Sequence, residues 1–167
     1  MKHLIRKHIR KVLLENEAKS QVEKNRAHIR QLYLDNKDKF NERVLLYPDM
    51  FIDEVGIDIV LNFLKAEDGI NYHLSFNNPY GATDYSKELQ KNPGASIQDL
   101  EKQSLIMNNL KEIKTRLLYY FNRRMFANIS HNEDWTNWTS DDLYNWMEVY
   151  KEKFIYEYLI PFSKLVD

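Results

Sequence analysis

No glycine or proline occurs before Pro48, and the whole chain of 167 residues holds only four of each. These eight breakers are about 5% of the chain, against an average near 12% for the two residues together. Glycine and proline are the strongest punctuators of local structure, so a chain with so few of them folds into long, uninterrupted elements. Leu, Ile, Val and Phe number 47, or 28%, above the roughly 20% below which chains tend to stay disordered. The length fits one domain with a sizeable core. Collagen-like, low-complexity and disulfide-scaffold classes are excluded.

The apolar periodicity is helical. Residues 1–14 read as an amphipathic helix with Leu4, Ile5, His8, Ile9, Val12 and Leu13 on one side and Lys2, Arg6, Lys7, Arg10 and Lys11 on the other. Glu15–Gln21 is polar apart from Ala18. The apolar positions resume at Val22, Ile29, Leu32 and Tyr33, which predicts a helical path to about Asn36. Pro48 suits a first helical turn. Ile57, Val60, Leu61 and Leu64 form a helical stripe, interrupted before it by Gly56 and stopped by Gly69. Ser96 with Asp99, and Thr139 with Asp142, have the spacing of capping boxes. Each opens a further helix: one with a seam at Leu100, Met107, Leu110, Leu117 and Phe121, the other stepping through Leu143, Met147, Tyr150, Phe154 and Tyr158 to Pro161.

Only Ile70, Tyr72, Leu74 and Phe76 alternate as a strand does, and Val44–Tyr47 is their only local partner. The expected fold is therefore mainly α. It is an irregular bundle of four to five helices with at most one small β-hairpin and a long loop at about 77–96, which holds a short helix near 84–90. Residues 1–14 stand apart as a candidate docking segment, and 15–167 read as a single helical domain.

Charge separates the same two parts. Residues 1–14 carry five bases and no acid, which leaves 24 − 5 = 19 bases against 25 acids in the remainder, a net −6. The absence of cysteine excludes disulfides, thiolate zinc sites, cysteine-held iron–sulfur clusters and a cysteine nucleophile. The longest apolar or aromatic run is five residues, Leu117–Phe121, where a membrane span needs about 20. The N-terminus lacks the apolar core of a secretion signal. The expected location is cytoplasmic or another intracellular assembly, so the glycosylation sequons at Asn128 and Asn137 carry no weight.

Chemistry-bearing motifs are missing. The chain has no phosphate-binding glycine loop, dinucleotide fingerprint, Gly-x-Ser-x-Gly elbow or kinase set, and neither a catalytic residue nor a cofactor is assigned. The leading expectation is a non-enzymatic interaction or structural protein, a subunit of a larger assembly such as a virus particle. That example rests only on size and on a usage of 16 Lys and 16 Asn against 6 Ala, as an A+T-rich coding sequence produces. In this reading Leu4, Ile5, Ile9, Val12 and Leu13 anchor a protein partner, Arg6 and Arg10 orient it, and Trp135 and Trp138 are secondary contacts. Self-association and contact with an anionic membrane surface are further uses of such a helix. The helix could equally pack on the protein's own bundle, where His8 would be a packed, neutral histidine. Trp135, Trp138 and Trp146 could likewise plug the bundle end rather than form a platform.

Two rivals come from other classes. His131, Glu133 and Asp134 would serve a small metal-dependent hydrolase if they converged with a further ligand such as His73. Arg116, Arg123 and Arg124 beside Tyr119 and Tyr120 resemble a nucleic-acid surface, but the acidic body disfavours that partner.

Overall fold

The computed structural model describes residues 2–69 and 86–161, with side chains in the first helix from Ile5 onward. The chain is mainly α, and no strand occurs among the described residues. Its helices are α1 (Lys2–Asp35), α2 (Lys37–Val44), α3 (Tyr47–Val55), α4 (Ile57–Asp68), α5 (Ser86–Lys91), α6 (Ile97–Ala127) and α7 (Ser140–Phe154). A 3-10 turn covers Trp135–Asn137, and α7 runs on into a π turn at Ile155–Leu159.

Contacts divide the chain into two compact units. One joins the chain up to Tyr47 with Tyr120–Phe154, and the other joins Pro48–Tyr119 with the chain from Ile155. In the first unit, Phe121 is fully buried with the Tyr47 and Phe154 rings edge-on at 5.4 Å and Tyr150 at 5.9 Å. Phe40 of α2 lies between Tyr33 at 5.9 Å and Tyr144 at 6.3 Å. In the second unit, α4 buries Val60, Leu61, Phe63 and Leu64 and packs on the π turn. Ion pairs tie α6 to its neighbours: Lys102 to Asp58 at 2.5 Å, Arg116 to Asp68 at 2.8 Å, and Lys114 to Asp49.

The helix boundaries follow local chemistry. Gly56 at φ 85° and Gly69 at φ 65° bracket α4 in backbone conformations that side chains disfavour. At the start of α7 the Asp142 backbone N–H donates to Thr139 Oγ1 at 3.3 Å, and the Thr139 N–H donates to the Asp142 carboxylate at 2.7 Å. That reciprocal exchange is a capping box. The backbone bond at Ser96–Asp99 is one-sided, from the Asp99 N–H to Ser96 Oγ at 3.1 Å.

Three expectations need correction. Val44–Tyr47 is not a strand: Val44 ends α2, packed four residues after Phe40, and Tyr47 begins α3. Its expected partner at 70–76, like the loop over 77–85, lies outside the described residues; the loop's later part holds α5. In α6, Met107 is exposed and Leu110 half-buried. The buried stripe instead steps by four through Ile113, Leu117, Phe121 and Met125. Each such step advances it by about 40° around the helix, so it winds away from a near-heptad line. After Phe154 the next fully buried position is Leu159, five residues on, while Tyr158 is half-buried. The wider π turn accounts for that step, since its bonds run from i to i+5.

Among the described residues, one polar side chain is fully buried. Asn25 of α1 donates through Nδ2 to the carbonyls of Ser130 at 2.7 Å and Glu133 at 3.0 Å, and its Oδ1 accepts from Gln21 at 2.9 Å. The amide thus ties the loop after α6 to the middle of α1. Replacing Asn25 with Ala leaves two carbonyls without donors and is expected to cost about 1–3 kcal/mol of unfolding free energy, measured by urea denaturation.

Candidate binding site

The helix α1 holds 34 residues and is about 50 Å long. It is continuous from Lys2, so residues 1–14 are joined to the rest without a break. Every residue from Ile5 to Glu17 is exposed. Ile5, Ile9, Val12 and Leu13 are between 40% and 56% exposed, and His8 is exposed with them rather than packed. Leu4 lies within the helix, and its side chain falls outside the description. Arg6, Lys7 and Arg10 make no ion pair among the described residues, while Lys11 lies 3.9 Å from Glu15.

Rotation explains why this stretch stays uncovered. The face of α1 that meets its unit carries Ala18, Gln21, Val22, Asn25, Ile29 and Leu32, all buried or half-buried. At about 100° per residue, Ile5, Ile9 and Val12 lie roughly half a turn away from that face. A straight helix seated by Asn25 and Ile29 therefore points its N-terminal aliphatic stripe outward. The side of the arm that does continue the packed face bears Lys7, Lys11 and Leu14.

The tryptophans occupy the other end of the Asn25 contact. Trp135 is 2% exposed and Trp138 is half-buried. Their rings stack at 4.0 Å, and Trp146 meets Trp135 edge-on at 4.6 Å. His28 Nε2 lies 2.9 Å from the Trp138 carbonyl. Trp135 is thus a plug between α1 and α7 and offers no face to a partner, which corrects its reading as a contact residue.

The three candidate metal ligands form no ligand cluster. Asp134 caps the 3-10 turn, accepting from Thr136 Oγ1 at 2.5 Å and Asn137 Nδ2 at 2.6 Å. His131 and Glu133 are exposed, and among the described residues no three His, Asp or Glu side chains converge. His73 lies outside the described residues. With Gln21, Lys24, Asn132 and Thr136, the side chains of His131, Glu133 and Asp134 line only a wide, open cleft of about 450 Å³. Arg116 is neutralised by Asp68 at 2.8 Å and Glu112 at 2.9 Å, and Arg123 is exposed.

No family model matches the chain, and neither a curated protein nor a solved structure is significantly similar to it. No helix among the described residues is long and apolar enough to cross a membrane.

Sequence patterns did not single out a second polar cluster. Glu148 on α7 accepts from the Tyr47 hydroxyl at 2.5 Å and the Tyr144 hydroxyl at 2.6 Å through one oxygen, and from Lys151 at 2.7 Å through the other. Burial alone would push this carboxyl up, but the bonds from Lys151, Tyr144 and Tyr47 and the Lys151 charge hold it down at about 2. Burial, with Glu148 beside it, pushes the Tyr47 hydroxyl up. The spacing from Tyr144 to Glu148 to Lys151 was visible as neighbours on one helix face; the Tyr47 contact spans 101 residues and had no local signal. The cluster ties α7 to Tyr47, which is buried.

A carboxyl whose folded pKa lies below its unfolded value near 4.5 stabilises the fold above that pH and loses the contribution as pH falls toward about 2. The stability gap between the native chain and Glu148→Gln is therefore expected to be constant above about pH 5 and to narrow below it. Urea unfolding at a series of pH values checks this; a gap independent of pH down to about 2.5 would contradict it.

Proposed function

We propose that this protein works by binding and is a non-enzymatic subunit of a larger protein assembly, engaging a protein partner through the N-terminal part of α1. The observation that carries the reading is the unbroken exposure of residues 5–17, with an aliphatic stripe turned away from the protein's own packed face. Each such side chain, fully buried by a partner, would contribute roughly 1.5–3 kcal/mol. Ile5, Ile9 and Val12 stand at i, i+4 and i+7, the spacing by which a helix lays anchors into a groove. Arg6 and Arg10 flank that stripe, so the groove has an apolar floor and an acidic rim. An aliphatic stripe without an aromatic ring favours a protein groove over lipid, where Trp and Phe commonly anchor surface helices.

Hydrogen exchange on the dilute protein tests this. Residues 5–14 are expected to exchange close to the unprotected rate, because a projecting helix of that length is marginal in water, while Ile113–Met125 is strongly protected. The double variant Ile9→Asp/Val12→Asp is expected to change unfolding free energy by no more than about 0.5 kcal/mol, as exposed positions do. An arm protected like Ile113–Met125 in the dilute protein would overturn the reading.

A further inference from the structure

We propose that the occupant of the basic arm is a second copy of this chain, bound at an acidic and apolar stripe around residues 34–46. The inference rests on the reading of the arm as a docking element and names its partner.

The stripe lies at the far end of α1 and along α2. Phe40 and Val44 turn inward from α2. On the opposite side stand Asp38 and Glu42, one turn apart, followed by Leu45 and Leu46, with Leu34 and Asp35 preceding them. Leu34, Leu45 and Leu46 are 53%, 60% and 61% exposed. The bases of this segment are mostly committed elsewhere: Lys39 pairs with Asp141 at 3.3 Å, and the Arg43 guanidinium lies 4.0 Å over the Tyr144 ring. Lys37 remains exposed at the edge. Asp38 and Glu42 form no ion pair among the described residues. The segment therefore offers leucines flanked by unpaired carboxylates, which complements an arm of aliphatics flanked by Arg6, Lys7 and Arg10. The charge split of the whole chain, +5 in residues 1–14 and −6 in the remainder, has the same sense.

The arm cannot reach the stripe of its own molecule. Ile9 and Leu34 lie 25 residues apart on one continuous helix, a separation of about 38 Å. A second copy removes the difficulty. Because arm and stripe sit at opposite ends of α1, two copies with antiparallel α1 helices bring each arm onto the other's stripe at once. Leu34 falls on the same side of α1 as Ile5 and Ile9 by helical rotation, so one face of the helix serves both ends. The contact closes on itself as a two-fold dimer rather than an open filament.

The test is sedimentation of the full chain across a wide concentration range, with three charge variants: Arg6→Glu/Arg10→Glu, Asp38→Lys/Glu42→Lys, and the two sets combined. Circular dichroism first confirms that each variant is folded. The native chain is expected to dimerise, each single set to weaken the dimer by at least about tenfold, and the combined variant to recover the native constant. High salt is expected to weaken the native dimer, as it screens exposed charges. Ile9→Asp/Val12→Asp, which alters no base, is expected to give a monomer. A dimer insensitive to either charge set, or a combined variant as weak as each alone, overturns the proposal. A monomer at every concentration also overturns it. In that case hydrogen exchange separates the two readings: a freely exchanging arm leaves the docking reading standing with another partner, and a protected arm removes both.

Discussion

The carboxamide of Asn25 sets the rotation of α1 on its unit. Its two N–H bonds hold the carbonyls of Ser130 and Glu133, and its oxygen is satisfied by Gln21, one turn earlier on the same helix. A buried amide is costly to leave without partners, so the helix is held at the phase that satisfies it. Everything N-terminal to Asn25 inherits that phase, because nothing in the preceding residues interrupts the helix. The outward direction of Ile5, Ile9 and Val12 follows from a hydrogen bond several turns away.

The same amide seats the tryptophan plug. The loop it holds leads directly into Trp135, which stacks on Trp138 and meets Trp146 of α7. The Trp135 indole nitrogen is buried without an acceptor among the described residues, a cost offset by the area that three packed rings remove from water. His28 adds a contact to the Trp138 carbonyl three residues beyond Asn25. Side chains from one face of α1 thereby organise the whole segment between α6 and α7.

Local signals carried much of this architecture. The apolar positions from Val22 to Tyr33 marked the end of α1 to within a residue, and Gly56 and Gly69 marked the limits of α4. The Thr139–Asp142 spacing marked the start of α7. Signals that depend on distant chain were not readable. Phe40 and Val44 are spaced for a helix, but Val44–Tyr47 alone looks equally like a strand, and only the rings around Phe40 decide between them. The winding stripe of α6 and the π turn after Phe154 arise from packing that local periodicity does not encode. At the candidate site, the composition of the arm was legible, while its exposure was not: both packing and docking satisfy the same amphipathic pattern. Asn25, on the face of Val22 and Ile29, could have been noticed as a polar residue in an apolar stripe.

The projection of α1 also has a mechanical consequence. From Ala18, where the helix first meets its unit, to Ile5 is 13 residues, a lever of about 20 Å. A tilt of about 10° at the root sweeps the tip through roughly 3 Å, more than half of one helical pitch. Small adjustments around Ala18 and Val22 are thus magnified into large displacements of the aliphatic stripe.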